Sequence, residues 1–405
     1  MSPSFSAKLA SAATREDRKL VAATHRVGYL ILRTIGRLGP AVRVPGIGLV
    51  VSEAAHLRSI LLDAEHFSKV GPGASSSLWT PVIGENALIN MDGPEHGALR
   101  RQLTPMFTAR FLSSLLGDII DPQLADLKQR LLAGERIDLA HEVEVTSAMV
   151  LCRLAGFQLS GLPEAALLQE LANARELLSL VKLTTQTLTR KQLTTAHAKL
   201  ASLQEQVRAA YREAQPGTVP TLLREAGLTV EDTVSVVSAL ILAGTETTIS
   251  HVPRLAQLLI TSGYLSQIAL QATSPDAAKV MDAAIQEGLR ITVPSPVMLR
   301  SVLKDTTVAN HRVKPGDRVV LATALACARA GDFNPSRPVP VEMRQIWFGA
   351  GAHFCIGMPL AMRVTEAYLR LLVEVEASRS LRVTAVERRT RTLAAGYQKF
   401  EVVAE

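Results

Sequence analysis

Phe348-Gly349-Ala350-Gly351-Ala352-His353-Phe354-Cys355-Ile356-Gly357 is the stretch on which the fold turns. It closes an irregular Gly/Pro-rich region over 331–357 and runs directly into a helical pattern over 358–375. A coil that long before a helix is more often functional than connective. It places one thiol at a helix N-terminus, where backbone N–H groups and the helix dipole favour the thiolate. Gly351 and Gly357 permit backbone approaches that a Cβ would block. Phe348 and Phe354 flank the sulfur and screen it from water. A shielded thiolate with donors aimed at it is a soft metal ligand. The competing reading is a buried structural cysteine, the usual fate of a free Cys. At this composition, F-x-x-G-x-x-x-C-x-G is expected by chance about two times in 10,000, so the ligand reading is preferred.

Upstream, strand-like 307–308 and Arg318–Leu321 surround the turn Lys314-Pro315-Gly316-Asp317. Helical periodicity fills 55–62, 96–107, 111–132, 163–181, 191–214, 230–261 and 277–291, and short strands fit Ala41–Val44 and Gly48–Val51. The tail from Leu381 reads as strands. The 230–261 segment is apolar on most faces and starts with Thr229 as cap, so it belongs in the middle of a large fold.

Three further groups carry chemistry. Ala243-Gly244-Thr245-Glu246-Thr247-Thr248 lies inside the apolar helix. Glycine and back-bonding hydroxyls loosen a helix locally, and a carboxylate beside an alcohol is costly there without a use. Alone, that cluster reads more readily as a satisfied polar kink than as a proton relay. Glu287 and Arg290 are three apart on one helix face and can pair. His96 and Arg100 stand at i, i+4, so both can reach one anionic group from a single helix. Arg300 follows the bend 294–299.

The chain has 405 residues, 47% apolar and 20% charged, which excludes disorder and coiled coil. Cys152, Cys327 and Cys355 are odd in number and far apart, so disulfides and a CxxC site are not expected, and a reducing cytoplasm is. No signal peptide or membrane span is expected, because the best early apolar run, 27–32, stops at Arg33. With aromatics at 4%, a nucleic-acid surface is not expected either. Of the net charge of +7, residues 1–45 hold +6, from eight basic residues against two acids. That segment reads as a solvated basic surface, with contact to an acidic partner or a membrane surface as the alternative.

The Cys355 loop resembles the haem-binding signature of the cytochromes P450, in the bacterial form F-G-x-G-x-H-x-C-x-G, at every fixed position. The other groups agree with that family in order and spacing. Arg363 falls one place later than the family's L-A-R, within Leu360-Ala361-Met362-Arg363. The resemblance implies a mainly α fold with small β-sheets (α+β): a single large domain over 40–405, preceded by a basic segment over 1–39. Haem b would lie between the long central helix and the helix after the Cys loop. It implies that Cys355 ligates the iron and that Glu246 and Thr247 deliver protons. His96, Arg100, Arg300 and His353 would hold the haem carboxylates. Phe348, Gly351, Gly357, Ala243 and Gly244 would surround the ring, while Glu287, Arg290 and a meander residue, Arg337, would fix the core beneath it. Ala239, Val297, Met298 and Ala395 would line a pocket for a lipophilic small molecule. The implied activity is monooxygenation, by hydroxylation or epoxidation, with electrons from NAD(P)H through a ferredoxin reductase and a ferredoxin. Arg100, Arg101, Arg110 and Arg363 would face that partner. A peroxide-driven peroxygenase and a non-catalytic haem protein are the rival readings.

Overall fold

The computed structural model describes residues 3–405 except Ser160, Leu162, Leu183 and Arg391. Two helices open the chain, α1 (Pro3–Thr24) and α2 (Arg26–Leu38). Strands β1 (Ala41–Val44) and β2 (Gly48–Val51), α3 (Ala54–Leu62), β3 (Phe67–Ser68) and α4 (Ser76–Ile83) follow. A helical block comprises α5 (Gly93–Leu103), α6 (Ala109–Leu132), α7 (Leu139–Leu154), α8 (Glu164–Ser179), α9 (Arg190–Glu213) and α10 (Val219–Glu225), with β4 (Ile137–Asp138) before α7. Next come α11 (Val230–Ser262), α12 (Tyr264–Leu270) and α13 (Ala277–Thr292). Strands β5 (Met298–Val302), β6 (Thr306–Val308), β7 (His311–Val313) and β8 (Arg318–Leu321) then lead through α14 (Thr323–Ala328) to α15 (Met358–Ser378). Strands β9 (Leu381–Arg388) and β10 (Tyr397–Ala404) end the chain.

The expected α+β architecture is present. A five-stranded sheet has the order β1-β2-β8-β5-β3, with β2 parallel to β8 and the other pairs antiparallel. Separate small sheets pair β4-β10-β9 and β6-β7. The 230–261 pattern is α11, 33 residues and about 50 Å long. Thr229 Oγ1 accepts from the Asp232 N–H at its start, and Gly263 ends it in the left-handed region. Among the described residues it is the one helix long and apolar enough to cross a membrane, and two thirds of that window is buried in the fold. Length and hydropathy here serve a core.

Helices pack around α11. At Gly288 a Cβ would stand 2.4 Å from Leu255 Cδ1, so glycine lets α13 approach α11 closely. The first helix is docked as well. Asp17 pairs with Arg254 of α11 through Nε at 2.7 Å and Nη2 at 2.8 Å, both residues being buried.

Candidate active site

The loop that ends in Cys355 is held by its own backbone. The Cys355 N–H donates to the Phe348 carbonyl at 2.9 Å and the Phe354 N–H to Gly351 at 3.0 Å. Gly351 sits at φ 68°, where a Cβ would lie 2.6 Å from the Leu61 carbonyl oxygen. That position requires glycine on both counts. Gly357 differs, since a Cβ there would meet only Cys355 Sγ, at 3.9 Å. The rings of Phe348 and Phe354 meet edge-on at 6.3 Å. Burial raises the Cys355 thiol, while the N–H groups of Gly357 and Met358 and the charges of Lys69 and Arg100 oppose that rise. A coordinated metal cation completes deprotonation of such a thiol.

Cys355 opens onto a cavity of about 1570 Å³, beyond the 300–1,000 Å³ usual for one small ligand. Ala243, Gly244, Thr247 and Thr248 of α11 line it, as do Phe348, Gly357, Ala239, Val297 and Met298. Ala395, expected in the pocket, does not line it. Its carbonyl accepts from Ser250 Oγ at 2.6 Å, and the turn presents Thr392 and Leu393 instead.

Glu246 and Thr247 part company. Thr247 lines the cavity, and its hydroxyl makes only a long 3.5 Å bond to the Ala243 carbonyl. Glu246 is buried beside the tail turn, where Oε2 accepts from the Ala394 N–H at 2.9 Å and Oε1 has no partner. Burial raises its carboxyl against that bond and the charges of Arg175 and Arg389.

Four residues foreseen as carboxylate ligands, His96, Arg100, Arg300 and His353, converge on one wall. The two imidazoles lie 4.1 Å apart. Burial lowers Arg300 to about 10 and His96 to about 4. Asp92 and Arg318 were not foreseen, and Lys69 was expected to line the pocket but not to face a carboxylate. Asp92 takes His353 Nε2 at 3.2 Å and Ser68 Oγ at 2.6 Å. Burial would raise its carboxyl, but these donors and the Gly93 N–H hold it well below the usual range. Lys69 keeps part of its surface open to the cavity, while its ammonium sits deep enough that desolvation, then Arg300, lower it to about 8. Arg318 is buried, with Nε and Nη1 unpartnered. β3 pairs with β5, which brings Lys69, just after β3, beside Arg300; Arg318 of β8 is paired with Ser301 and so lies on the other face of the sheet.

Glu287 and Arg290 form a two-pronged buried pair with both bonds at 2.6 Å. The other prongs of Arg290 reach the carbonyls of Cys327, Gly331 and Asp332. Arg337 does not join the carboxylate as expected. The Asn334 N–H occupies Glu287 Oε1 at 2.7 Å, and Arg337 instead bonds the carbonyls of Ala330 and Asp332.

Haem fits this site. Lys69, Arg100 and Arg300 are offset on the chain's side by Asp92, and a buried cation cluster needs anionic partners. A group with two carboxylates and a thiolate-seeking iron satisfies the arginines and Cys355 together.

A family model described as Cytochrome P450 matches residues 271–375, which include Glu287, Arg290 and Cys355. A putative cytochrome P450 of Bacillus subtilis is 27% identical over 334 residues, 78% of this chain and 79% of that one. The erythromycin C-12 hydroxylase of Saccharopolyspora erythraea is 29% identical over 345 residues, 76% of each chain. A solved cytochrome P450 of Bacillus megaterium in complex with testosterone superposes with a TM-score of 0.74 at 20% identity, covering 92% of this chain and 96% of that one.

Proposed function

We propose, since this chain belongs to the cytochrome P450 family, that it is a ferredoxin-driven haem-thiolate monooxygenase acting on a bulky lipophilic small molecule. When bound, the haem supplies dioxygen activation, one oxygen atom entering the substrate and the other leaving as water. The reading is carried by one arrangement: the Cys355 thiol and the Thr247 hydroxyl line one cavity with the cation cluster on its wall.

Cys355 Sγ would hold the iron. Arg100 and Arg300 would orient the ring through its carboxylates, with His96 and Lys69 as further donors. His353 has its Nε2 on Asp92, so Nδ1 is what it can offer a ligand. Thr247 is placed to pass a proton into the cavity, because its bond to Ala243 is weak. Glu246, whose carboxyl burial raises, is the donor behind it. The aliphatic walls contributed by Ala239, Val297, Met298 and Leu240 exclude water and accept apolar carbon. Relatives named for hydroxylating C-19 steroids, vitamin D3 and mycinamicin IV support a bulky lipophilic substrate, for which steroid, terpenoid, polyketide and fatty acid are the candidate classes.

Electrons reach the site from NAD(P)H through redox partners. Arg101, Arg110 and Arg363 are exposed, and Arg363 comes within 3.4 Å of Ser113, near Arg110 on α6. This placement supports a face for an acidic ferredoxin behind the Cys355 loop. The three free cysteines favour a cytoplasmic setting. A spin-state titration against a lipophile library tests the reading, followed by NAD(P)H turnover with a surrogate ferredoxin and reductase. Formation of a product one oxygen atom heavier supports it; ligand binding without NAD(P)H-dependent product overturns it.

A further inference from the structure

The basic N-terminal segment takes no part in the site chemistry described above, and its second helix has a distinctive exposed face. Among the described residues, eleven large apolar side chains are exposed, and four of them are on the 13-residue α2: Val27, Leu30, Ile31 and Leu38. Val27, Ile31 and Leu38 fall on one face by i, i+4, i+11 spacing. Arg26, Leu30, Arg33 and Arg37 form the adjoining row. Ile35, four residues after Ile31, is buried at the edge of the apolar face and on the side away from the arginines, so the fold covers one flank of that face and leaves the arginine row to solvent.

The charge on this face is uncompensated. The ion pairs of the first 45 residues are Arg18–Asp332, Lys19–Glu16, Arg43–Asp317 and Arg254–Asp17. Among the described residues, Arg26, Arg33 and Arg37 have none. Val27, Tyr29, Ile31 and Leu32 also border the large cavity, together with the half-exposed Leu393 of the tail turn. His25 Nε2 lies 3.0 Å from the Leu393 carbonyl, which ties the start of α2 to that turn.

We propose that α2 seats the protein on an anionic lipid surface, with Val27, Leu30, Ile31 and Leu38 in the headgroup region and Arg26, Arg33 and Arg37 on lipid phosphates. A row of unpaired arginines beside aliphatic side chains is the pattern of an interfacial helix. Anionic lipid attracts each such arginine, and salt weakens the attraction. Exposed aliphatics fit lipid better than the aromatic anchors typical of protein interfaces. The cavity border would then lie against the bilayer. The proposal is independent of the substrate, because binding is read without turnover.

The full-length holoprotein is sedimented with vesicles of phosphatidylglycerol and phosphatidylcholine, and separately with phosphatidylcholine alone. Binding is expected only to the anionic vesicles and is expected to weaken as salt rises. Arg33→Gln with Arg37→Gln lowers partitioning about tenfold or more. Val27→Gln with Leu38→Gln, which removes no charge, also lowers it several-fold. All these side chains are exposed, and the reduced carbon monoxide spectrum of each variant reports intact folding. Failure of the wild-type holoprotein to bind anionic vesicles overturns the proposal. So does binding that the apolar pair leaves unchanged. A loss of ferredoxin affinity in the arginine pair, without any vesicle binding, assigns the face to an acidic protein instead.

Discussion

Glu246 Oε2 accepts a hydrogen bond from the Ala394 N–H at 2.9 Å, so the acid of the Glu-Thr pair is held against the tail turn, 148 residues away in sequence. Its neighbour Thr247 lines the cavity. Acid and alcohol are therefore set on different sides of α11. In the proposed relay the acid passes its proton through the alcohol or water, and Oε1 is left without a protein partner.

Glu246→Gln removes the titratable proton while keeping the Ala394 bond. Product formation is expected to fall on the order of 10²-fold, with substrate binding and the carbon monoxide spectrum unchanged. Thr247→Ala is expected to divert NAD(P)H consumption into hydrogen peroxide. Fully coupled product formation in Thr247→Ala would show that the hydroxyl is dispensable and favour the peroxygenase reading.

Glu287→Gln leaves Arg290 buried opposite a neutral group. Breaking a buried pair by losing one partner costs about 3–5 kcal/mol. The urea midpoint of the holoprotein is expected to fall accordingly, with haem released early in the transition. A midpoint within error of wild type would mean that the carbonyls of Cys327, Gly331 and Asp332 suffice to hold Arg290.

Two glycines in one loop separate by geometry. Gly351→Ala meets both a positive φ and the Leu61 carbonyl, so a large loss of stability and haem content is expected. Gly357→Ala has room, its Cβ in ordinary contact with Sγ. It is expected to retain haem and to shift the spectrum or potential rather than the stability. Equal loss in both variants would contradict this.

His251 on α11 is buried with Nδ1 on Thr292 Oγ1 at 2.8 Å, and burial, then Arg254, lower it to about 3. Below its unfolded value near 6.5, the unfolded chain takes up a proton that the folded chain refuses. Stability contributed by neutral His251 is therefore present above about pH 6.5 and is lost as pH falls toward 3. The window corresponds to several kcal/mol, at about 1.4 kcal/mol per unit. His251→Asn is expected to flatten the acid limb of stability against pH. An unchanged acid limb would place the acid sensitivity elsewhere, with His96 the next group to test.

Much of the site was legible in sequence because its signals are local. The Cys355 loop, the Glu287–Arg290 spacing and the 3.6-residue period of α11 each lie within a few turns of chain. The rest depends on partners far along the chain. Lys69 joins Arg300 only because β3 pairs with β5, and a lone lysine carries no mark of that. Asp92 matters through His353, 261 residues later. The first helix reads as small, polar and charged residues, yet its Asp17 is buried against Arg254. Helix α7 (Leu139–Leu154) had no assignment, although ten of its residues are buried. Nearly all-round burial blurs the single apolar stripe that marks a surface helix. Ala395 and Arg337 were placed near the right elements. The turn and the meander aim their side chains and carbonyls differently from the family pattern.

The reduced carbon monoxide difference spectrum tests the central claim most directly, measured on the wild-type holoprotein and on Cys355→His. A thiolate-type band in the wild type, replaced by a histidine-type band in the variant, is the predicted result. A histidine-type band in the wild type, or a thiolate-type band that survives loss of Cys355, would contradict it.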